Sequence, residues 1–160
     1  MKPLAVFLVI LVIAALIGVG FLWFSSSLTV TFSSVVATDP VSQANAFGEI
    51  RTAVENGTFV GTRYSSAPLT GPEDYLFYTW TLHLENNSFL AADTIEIQVT
   101  PMAGDVLLVG DTVNHKLLKK DSMDLSATIL TARNMHSVRE AVVTWYVWGL
   151  PFSARVTLGK

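Results

Sequence analysis

YLFYTWTLHL, residues 75–84, gives the clearest indication of the fold class in this sequence. Its residues alternate between two faces, which is the period of a β-strand. One face is made only of large apolar side chains: Leu76, Tyr78, Trp80, Leu82 and Leu84. The other face carries Tyr75 and Phe77 before it turns polar. A strand that is apolar on most of both faces is expected at the centre of a sheet, where both sides are covered.

Shorter alternating or apolar stretches lie on both sides of this strand. They are LTVTF at 28–32, TFVGTRY at 58–64, TIEIQVT at 94–100, DVLLVG at 105–110 and DLSATILT at 124–131. A closing hairpin follows, SVREAVVTWYVW and FSARVTL, with a turn at WGLP where Pro151 opens the second strand. About eight short strands without alternating helices predict an antiparallel β-sandwich, immunoglobulin-like or fibronectin-like, over residues 28–160.

One short helix is predicted within this domain, over about residues 40–56. Asp39 suits its N-cap, Pro40 its first position and Gly57 its end. Between these signals the apolar residues recur every three or four positions: Val41, Ala44, Phe47, Ile50 and Val54. A helix with one apolar stripe is expected to lie on the outside of the sandwich.

PLAVFLVILVIAALIGVGFLWF, residues 3–24, contains no charged residue. As an α-helix rising about 1.5 Å per residue it spans about 30 Å, the thickness of the hydrocarbon core of a bilayer. We therefore predict a transmembrane signal anchor at 3–24, after a cytoplasmic segment at 1–2 and before a short linker at 25–27. The alternative is a signal peptide cleaved near Ser27, which would release a secreted domain.

The charges beside this segment predict its orientation. Lys2 precedes it, whereas the first basic residue after it is Arg51, so the N-terminus is expected in the cytoplasm and the C-terminal domain outside the cell membrane. Trp23 then suits the aromatic belt at the outer interface. The chain contains no cysteine, so an outside domain depends on apolar burial rather than on disulfides.

The charge balance bears on partners. Leaving out Lys2, the chain carries nine Lys and Arg residues against 13 Asp and Glu residues. An acidic domain does not favour nucleic acid or anionic headgroups as partners. The one basic cluster, HKLLKK with Lys116, Lys119 and Lys120, is interpreted as a solvated connection or a strand edge.

Sequence motifs for catalysis are absent: there is no cysteine nucleophile, no G-x-S-x-G, no phosphate-binding glycine loop and no H-E-x-x-H. Two sets of side chains are candidates for a metal site. They are His83, His115 and His136, and the turn aspartates Asp105, Asp111, Asp121 and Asp124. Neither set has the spacing of a known site, and Glu140 with Arg139 or Arg133 is interpreted as a surface pair. We predict no catalytic residue, no metal and no cofactor.

The aromatic residues allow two interpretations. Trp80 and Trp145, on facing strands, are expected to fill the centre of the sandwich. A candidate binding face is formed by four aromatics of the opposite parity: Tyr75, Phe77, Tyr146 and Trp148. This face would suit a glycan or a peptide partner, unless the helix over 40–56 covers it.

An N-terminal helix followed by such a β domain is similar to the organisation of many bacterial envelope proteins. WTLHLENNSF, residues 80–89, resembles the strand-and-asparagine pattern of water-stress (late embryogenesis abundant) sandwiches, and no site residue follows from these ten residues. The prediction is a membrane-anchored, extracytoplasmic and non-enzymatic module with the bilayer as partner through 3–24. It would contact another envelope protein or a glycan, or help to assemble an envelope complex. A small envelope hydrolase or metal-dependent enzyme is the alternative.

Overall fold

The computed structural model describes residues 2–25, 27–109 and 114–159, without the side chains of residues 2 and 22–25. The helices are α1 (Lys2–Ser25) and α2 (Ala44–Glu55), with 3-10 turns at Pro40–Gln43 and Pro72–Asp74. The strands are β1 (Leu28–Thr38), β2 (Gly61–Arg63), β3 (Tyr75–Asn86), β4 (Ala92–Val99), β5 (Asp105–Val109), β6 (His115–Leu117), β7 (Ser122–Ala132), β8 (Arg139–Val147) and β9 (Leu150–Leu158). The side chains of Trp23 and Asp111, considered above for the interfacial belt and for a metal site, lie outside the described residues.

The strands form two antiparallel sheets. Sheet 1 has the order β1-β3-β7-β5-β2, and sheet 2 has the order β6-β4-β8-β9. Successive strands alternate between the two sheets from β3 to β8, with β3, β5 and β7 in sheet 1 and β4, β6 and β8 in sheet 2. The chain therefore crosses repeatedly between the sheets. The prediction of a mainly β protein with antiparallel sheets and few helices is confirmed.

β3 is an interior strand of sheet 1, with a neighbour on each side, as its sequence predicts. It lies between β1 and β7, and its pairing with β7 runs without a slip from Tyr75 opposite Ala132 to Glu85 opposite Ser122. Trp80, Leu82 and Leu84 have no exposed surface. Their face of the strand packs against sheet 2, because they share one apolar cluster with residues of β4 and β8.

The main core lies between the two sheets. Sheet 2 contributes inward residues of strict alternate spacing: Ala141, Val143, Trp145 and Val147 from β8, and Ile95 and Val99 from β4. Trp80 and Trp145 both belong to this core, as predicted. The indole Nε1 of Trp80 donates a hydrogen bond to the carbonyl oxygen of Ser137 at 3.0 Å, so its one polar atom is satisfied although the ring is buried.

The predicted helix over 40–56 begins as a 3-10 turn and continues as α2. A carboxylate oxygen of Asp39 accepts a hydrogen bond from the amide of Val41 at 3.0 Å, which caps the turn. After Glu55 the chain leaves the helix through Gly57, whose φ of +70° suits a residue without a Cβ. Phe47 and Val54 pack onto the outer face of sheet 1. They form a second apolar cluster with Leu69, Tyr75, Phe77, Leu107 and Leu130.

Two local features differ from the simple sequence pattern. The segment HKLLKK contains β6, a three-residue edge strand that pairs with β4, and the three residues are too few for a visible alternation. In β1 the register shifts between Phe32 and Ser34, so that Phe32 and Val35 both pack against the main core. A bulge of this kind inserts one residue and reverses the parity of all later side chains.

The end of the sheets near α1 is defined by connectivity. α1 ends at Ser25, β1 begins at Leu28, and Leu28 lies opposite Asn86 at the end of β3. We call this the proximal end; it also contains the start of β4 and the β8–β9 turn, because Asp93 lies opposite Tyr146. Three peptide units join Ser25 to Leu28, so their Cα atoms are at most about 11 Å apart.

α1 is the one helix among the described residues that is long and apolar enough to cross a membrane. The qualifying stretch is Pro3–Phe21, 19 residues, and none of it is buried against the β domain. A signal sequence meets the same criteria of length and composition. The coarser prediction of a single apolar N-terminal helix is therefore confirmed.

Candidate contact surface at the proximal end

The β8–β9 hairpin turns at the proximal end through two residues, Trp148 and Gly149. Val147 pairs with Leu150, and both turn residues have positive φ, +51° for Trp148 and +79° for Gly149. This is the pattern of a type I′ turn, which favours Asn or Gly at both positions. Trp148 therefore holds an unfavourable backbone conformation, and its side chain is 72% exposed.

Apolar side chains continue along the two strands of this hairpin. Tyr146 lies opposite Pro151 and is 37% exposed, and Leu150 is 46% exposed. Tyr146 belongs to the outer face of sheet 2, since its neighbours Trp145 and Val147 point into the core. The turn and the outer face beside it thus form one exposed aromatic tip.

Two loops add further exposed apolar side chains at the same end. Phe89, in the β3–β4 loop, is 69% exposed, and Leu118, directly after β6, is 55% exposed. The ammonium of Lys120 lies 4.9 Å from the centroid of the Phe89 ring, and it also donates to the carbonyl oxygen of Asn87. These contacts hold the two loops together.

Asn86 is the buried residue that organises both loops. Its amide nitrogen donates to the carbonyl oxygens of Leu90 at 2.7 Å, of Leu118 at 3.1 Å and of Leu117 at 3.3 Å. Its amide oxygen accepts from the backbone nitrogen of Ser88 at 3.0 Å and from the Ser88 hydroxyl at 2.6 Å. The loops that carry Phe89 and Leu118 are therefore tied to the last residue of the central strand.

We call the resulting set the proximal apolar surface: Phe89, Leu118, Tyr146, Trp148 and Leu150. Within the described part of the β domain, the exposed large aromatic side chains are all in this set. Charged groups lie around it, including Lys116, which pairs with Asp93 at 2.9 Å. The surface is thus apolar at its tips and mixed in charge at its border.

The structure does not bring the four aromatics of the candidate binding face, Tyr75, Phe77, Tyr146 and Trp148, onto one surface. Tyr75 and Phe77 are only 9% and 5% exposed because α2 covers them on the outer face of sheet 1. Tyr146 lies in β8 of sheet 2, and Trp148 lies in the turn that follows β8. The outer faces of two packed sheets point in opposite directions, so a shared parity on β3 and β8 does not bring these side chains together.

The end of the sheets opposite the proximal end, which we call the distal end, contains a buried ion pair. The sequence pattern did not predict this pair. Arg139 and Asp105 have no exposed side-chain surface, and two hydrogen bonds join them, Nη2 to Oδ1 at 2.6 Å and Nε to Oδ2 at 2.8 Å. The interpretation of Arg139 as a surface partner of Glu140 is wrong. Its position should have indicated burial, because residue 139 has the same parity as Ala141, Val143 and Trp145.

The ion pair also shapes the electrostatics of its neighbours. Burial raises the pKa of Asp105, but the hydrogen bonds from Arg139 and the Met102 amide outweigh it and leave that pKa below its usual value. Burial, helped by the negative charge of Asp105, raises the pKa of Tyr64, whose hydroxyl donates to the carbonyl oxygen of Val99 at 2.9 Å. Arg133 instead forms an exposed ion pair with Asp39. The hydrogen bond from the Arg133 guanidinium lowers the pKa of Asp39.

The three candidate histidines lie apart from one another. His83 and Asp124 face each other across β3 and β7 at 2.7 Å, whereas His115 is on β6 and His136 follows β7. Asp105 and Asp121 accept hydrogen bonds from nearby backbone amides, as the turn interpretation predicted. Within the described ranges, no three His, Asp or Glu side chains lie close enough to hold a metal ion.

Comparison with protein-family models finds no family that matches the chain. Comparison with curated proteins finds no match either. Functional inference therefore rests on the residues and geometry described above.

Proposed function

We propose that this protein is a membrane-anchored, extracytoplasmic and non-enzymatic module. α1 crosses the cell membrane with the N-terminus in the cytoplasm, and the two sheets form an immunoglobulin- or fibronectin-like sandwich outside. The sandwich contacts another envelope protein or a glycan, or helps to assemble an envelope complex.

The observation that carries the proposal is the separation of apolar residues into two groups. In α1 the large apolar side chains are more than half exposed, from 51% at Ile13 to 67% at Ile17. In the β domain the strands instead bury alternate residues between the sheets. An exposed helix of this length is stable in lipid, whereas the alternating strands are stable in water with their polar faces outward.

The orientation is supported by the basic residues of the sequence. Lys2 is the first residue of α1, and the first basic residue after this helix is Arg51 in α2. An excess of positive charge on the cytoplasmic side is the general rule for single helices. The β domain would then lie in the compartment outside the membrane.

The enzyme alternative has one specific observation in its favour. His83 and Asp124 form a hydrogen-bonded pair that resembles the base and orienting group of a hydrolase. Both side chains are about half exposed on the flat outer face of sheet 1, at 48% and 65%. No histidine lines the groove along α2 or the groove beside residues 101–106. We therefore favour the contact module.

The test combines the state of the mature chain with its neighbours in native membranes. A photo-crosslinking residue replaces Val41 or Met102, two exposed side chains at the distal end. We expect a full-length chain that resists an alkaline wash and forms a crosslink to one envelope protein or glycan from at least one position. Recovery of a soluble chain that begins near Leu28 would exclude the anchor, and turnover of an ester or amide substrate that depends on His83 would exclude the non-enzymatic role.

A further inference from the structure

The proximal apolar surface lies at the end of the β domain where the chain arrives from α1. Leu28 begins β1 within about 11 Å of the last residue of α1, and the turn at Trp148 and the loop at Phe89 lie at the same end. β1 is the edge strand of sheet 1, and it contacts β9, the strand that leaves the Trp148 turn. If α1 is inserted, this short connection holds the start of β1 close to the bilayer surface.

We propose that this surface rests in the headgroup region of the outer leaflet, so that the β domain is held on the membrane at a second place besides α1. This inference rests on the proposed function, since it requires α1 to be inserted in the bilayer. The occupant is the bilayer itself, because the distance between α1 and β1 leaves little room for a folded partner beneath the proximal end. Trp148 and Tyr146 are the residue types that concentrate at membrane interfaces.

The charges at the border of the surface suit a zwitterionic interface. Lys116 is paired with Asp93, and Lys120 lies over Phe89 with its stem beside the loop. Asp121 adds a negative charge directly after Lys119 and Lys120. A long basic side chain can keep its ammonium among the headgroups while an apolar neighbour lies deeper. The contact should therefore depend on apolar insertion more than on anionic lipid.

Backbone conformation gives independent support. Within the described residues, the non-glycine residues with positive φ are Thr94, Lys120 and Trp148, at +50°, +58° and +51°. Lys120 and Trp148 lie in the proximal loops, and Thr94 is in β4 beside them. Unfavourable conformations of this kind concentrate where function requires a particular side chain to be presented. At the turn, Trp148 stands where Asn or Gly would be more stable.

Tethering explains why a small surface is enough. A free protein with five exposed apolar side chains would bind a bilayer weakly, but α1 makes the contact intramolecular and raises the effective concentration of the leaflet. The contact would restrict rotation of the β domain about the linker and direct α2 and the distal loops away from the membrane. The surface left for an envelope partner is then the distal end.

The chain has no native cysteine, so single cysteines give clean spin-label sites. The full-length protein is reconstituted in palmitoyl-oleoyl phosphatidylcholine vesicles with a nitroxide at Phe89→Cys, Leu118→Cys or Leu150→Cys. Matched distal controls are Val41→Cys and Met102→Cys, whose native residues are 53% and 42% exposed. Ile13→Cys, in the middle of α1, reports whether the helix itself is in lipid. Each label is measured for collision with oxygen, which concentrates in lipid, and with a soluble nickel chelate.

The expected result is an oxygen-to-nickel collision ratio at the three proximal positions severalfold above that at both distal controls. A lipid signal at position 13 with water-like ratios at all three proximal positions would overturn this inference and leave the anchor intact. A water-like ratio at position 13 would overturn the anchor and the inference together. A third outcome is a water-like collision ratio at the proximal positions in pure lipid, together with protection of the same labels from nickel in native membranes. This outcome would assign the surface to a protein or a glycan, and it would also overturn the inference.

Discussion

Arg139 and Asp105 join the two sheets at the distal end through a charge pair with no exposed surface. Asp105 opens β5 of sheet 1, and Arg139 opens β8 of sheet 2. Arg139 also donates to the carbonyl oxygens of His136 and Val138, so each of the three guanidinium nitrogens donates at least one hydrogen bond. Burial of two charges is costly, and these hydrogen bonds are what make the pair tolerable inside the protein.

Removal of Arg139 should be strongly destabilising. We expect Arg139→Met to lower the free energy of unfolding by about 3–5 kcal/mol, because the charge of Asp105 is left buried without a partner. Arg133→Met is the matched control, since Arg133 forms an exposed pair with Asp39 of similar geometry, and its loss should be much smaller. Urea unfolding of the full chain in detergent micelles, followed by circular dichroism, measures both. Equal losses would contradict the role given to the buried pair.

The pH dependence of stability follows from the same carboxylate. The pKa of Asp105 is lowered in the folded protein from its usual value of 3.8. The stabilising contribution of the ionised Asp105 carboxylate is therefore complete above the unfolded-state pKa. It is lost as the pH falls through the lower pKa of the folded state. Urea unfolding below about pH 4 should therefore show a steep fall in stability that is shallower in Asp105→Asn. Asp39→Asn, at the exposed pair, should change the slope less. An unchanged slope in Asp105→Asn would show that other carboxylates dominate.

At the scale of elements, the β3–β4 loop and the β6–β7 loop depend on one side chain, Asn86. We expect Asn86→Ala to lower the free energy of unfolding by about 2–4 kcal/mol, because it leaves several buried backbone groups without partners. Asn87→Ala is the control, since this side chain is exposed. Hydrogen exchange should show faster exchange at Ser88 and Leu90 in Asn86→Ala alone. Protected amides in that variant would contradict the proposed clamp.

The elements that the sequence could predict are those with a sustained period. β3, β8 and β9 alternate over nine to twelve residues, and β4 alternates from Ile95 to Val99. α2 has both a cap at Asp39 and a stop at Gly57. β6 is too short to show a period, and the bulge in β1 reverses parity without a sequence signal such as glycine. Local pattern specifies an element well, but it does not specify where that element pairs.

The candidate site was only partly predictable for the same reason. The parity of Tyr146 separates it from the inward residues of β8, whereas the exposure of Trp148 belongs to its place in the turn after β8. Their grouping with Tyr75 and Phe77 required the assignment of β3 and β8 to one sheet, which depends on contacts between distant parts of the chain. Phe89 and Leu118 join the surface through Asn86, and no spacing in the sequence indicates that contact.

At the scale of the whole molecule, the apolar residues occupy three environments. One group lies between the sheets, a second lies under α2, and a third forms α1 with no cover from the β domain. The proximal apolar surface lies where the third group meets the domain. A membrane at the proximal end would stabilise both α1 and the proximal apolar surface, because their exposed apolar side chains would then contact lipid rather than water.

The proposed topology places α1 in the membrane and the β domain outside the cell. Labelling of a Val41→Cys variant in intact cells with a membrane-impermeant maleimide, followed by an alkaline wash of the membranes, measures both placements. We expect a full-length chain that is labelled before lysis and stays with the membranes. A chain that is labelled only after lysis, or that leaves the membranes without α1, would contradict the proposed topology.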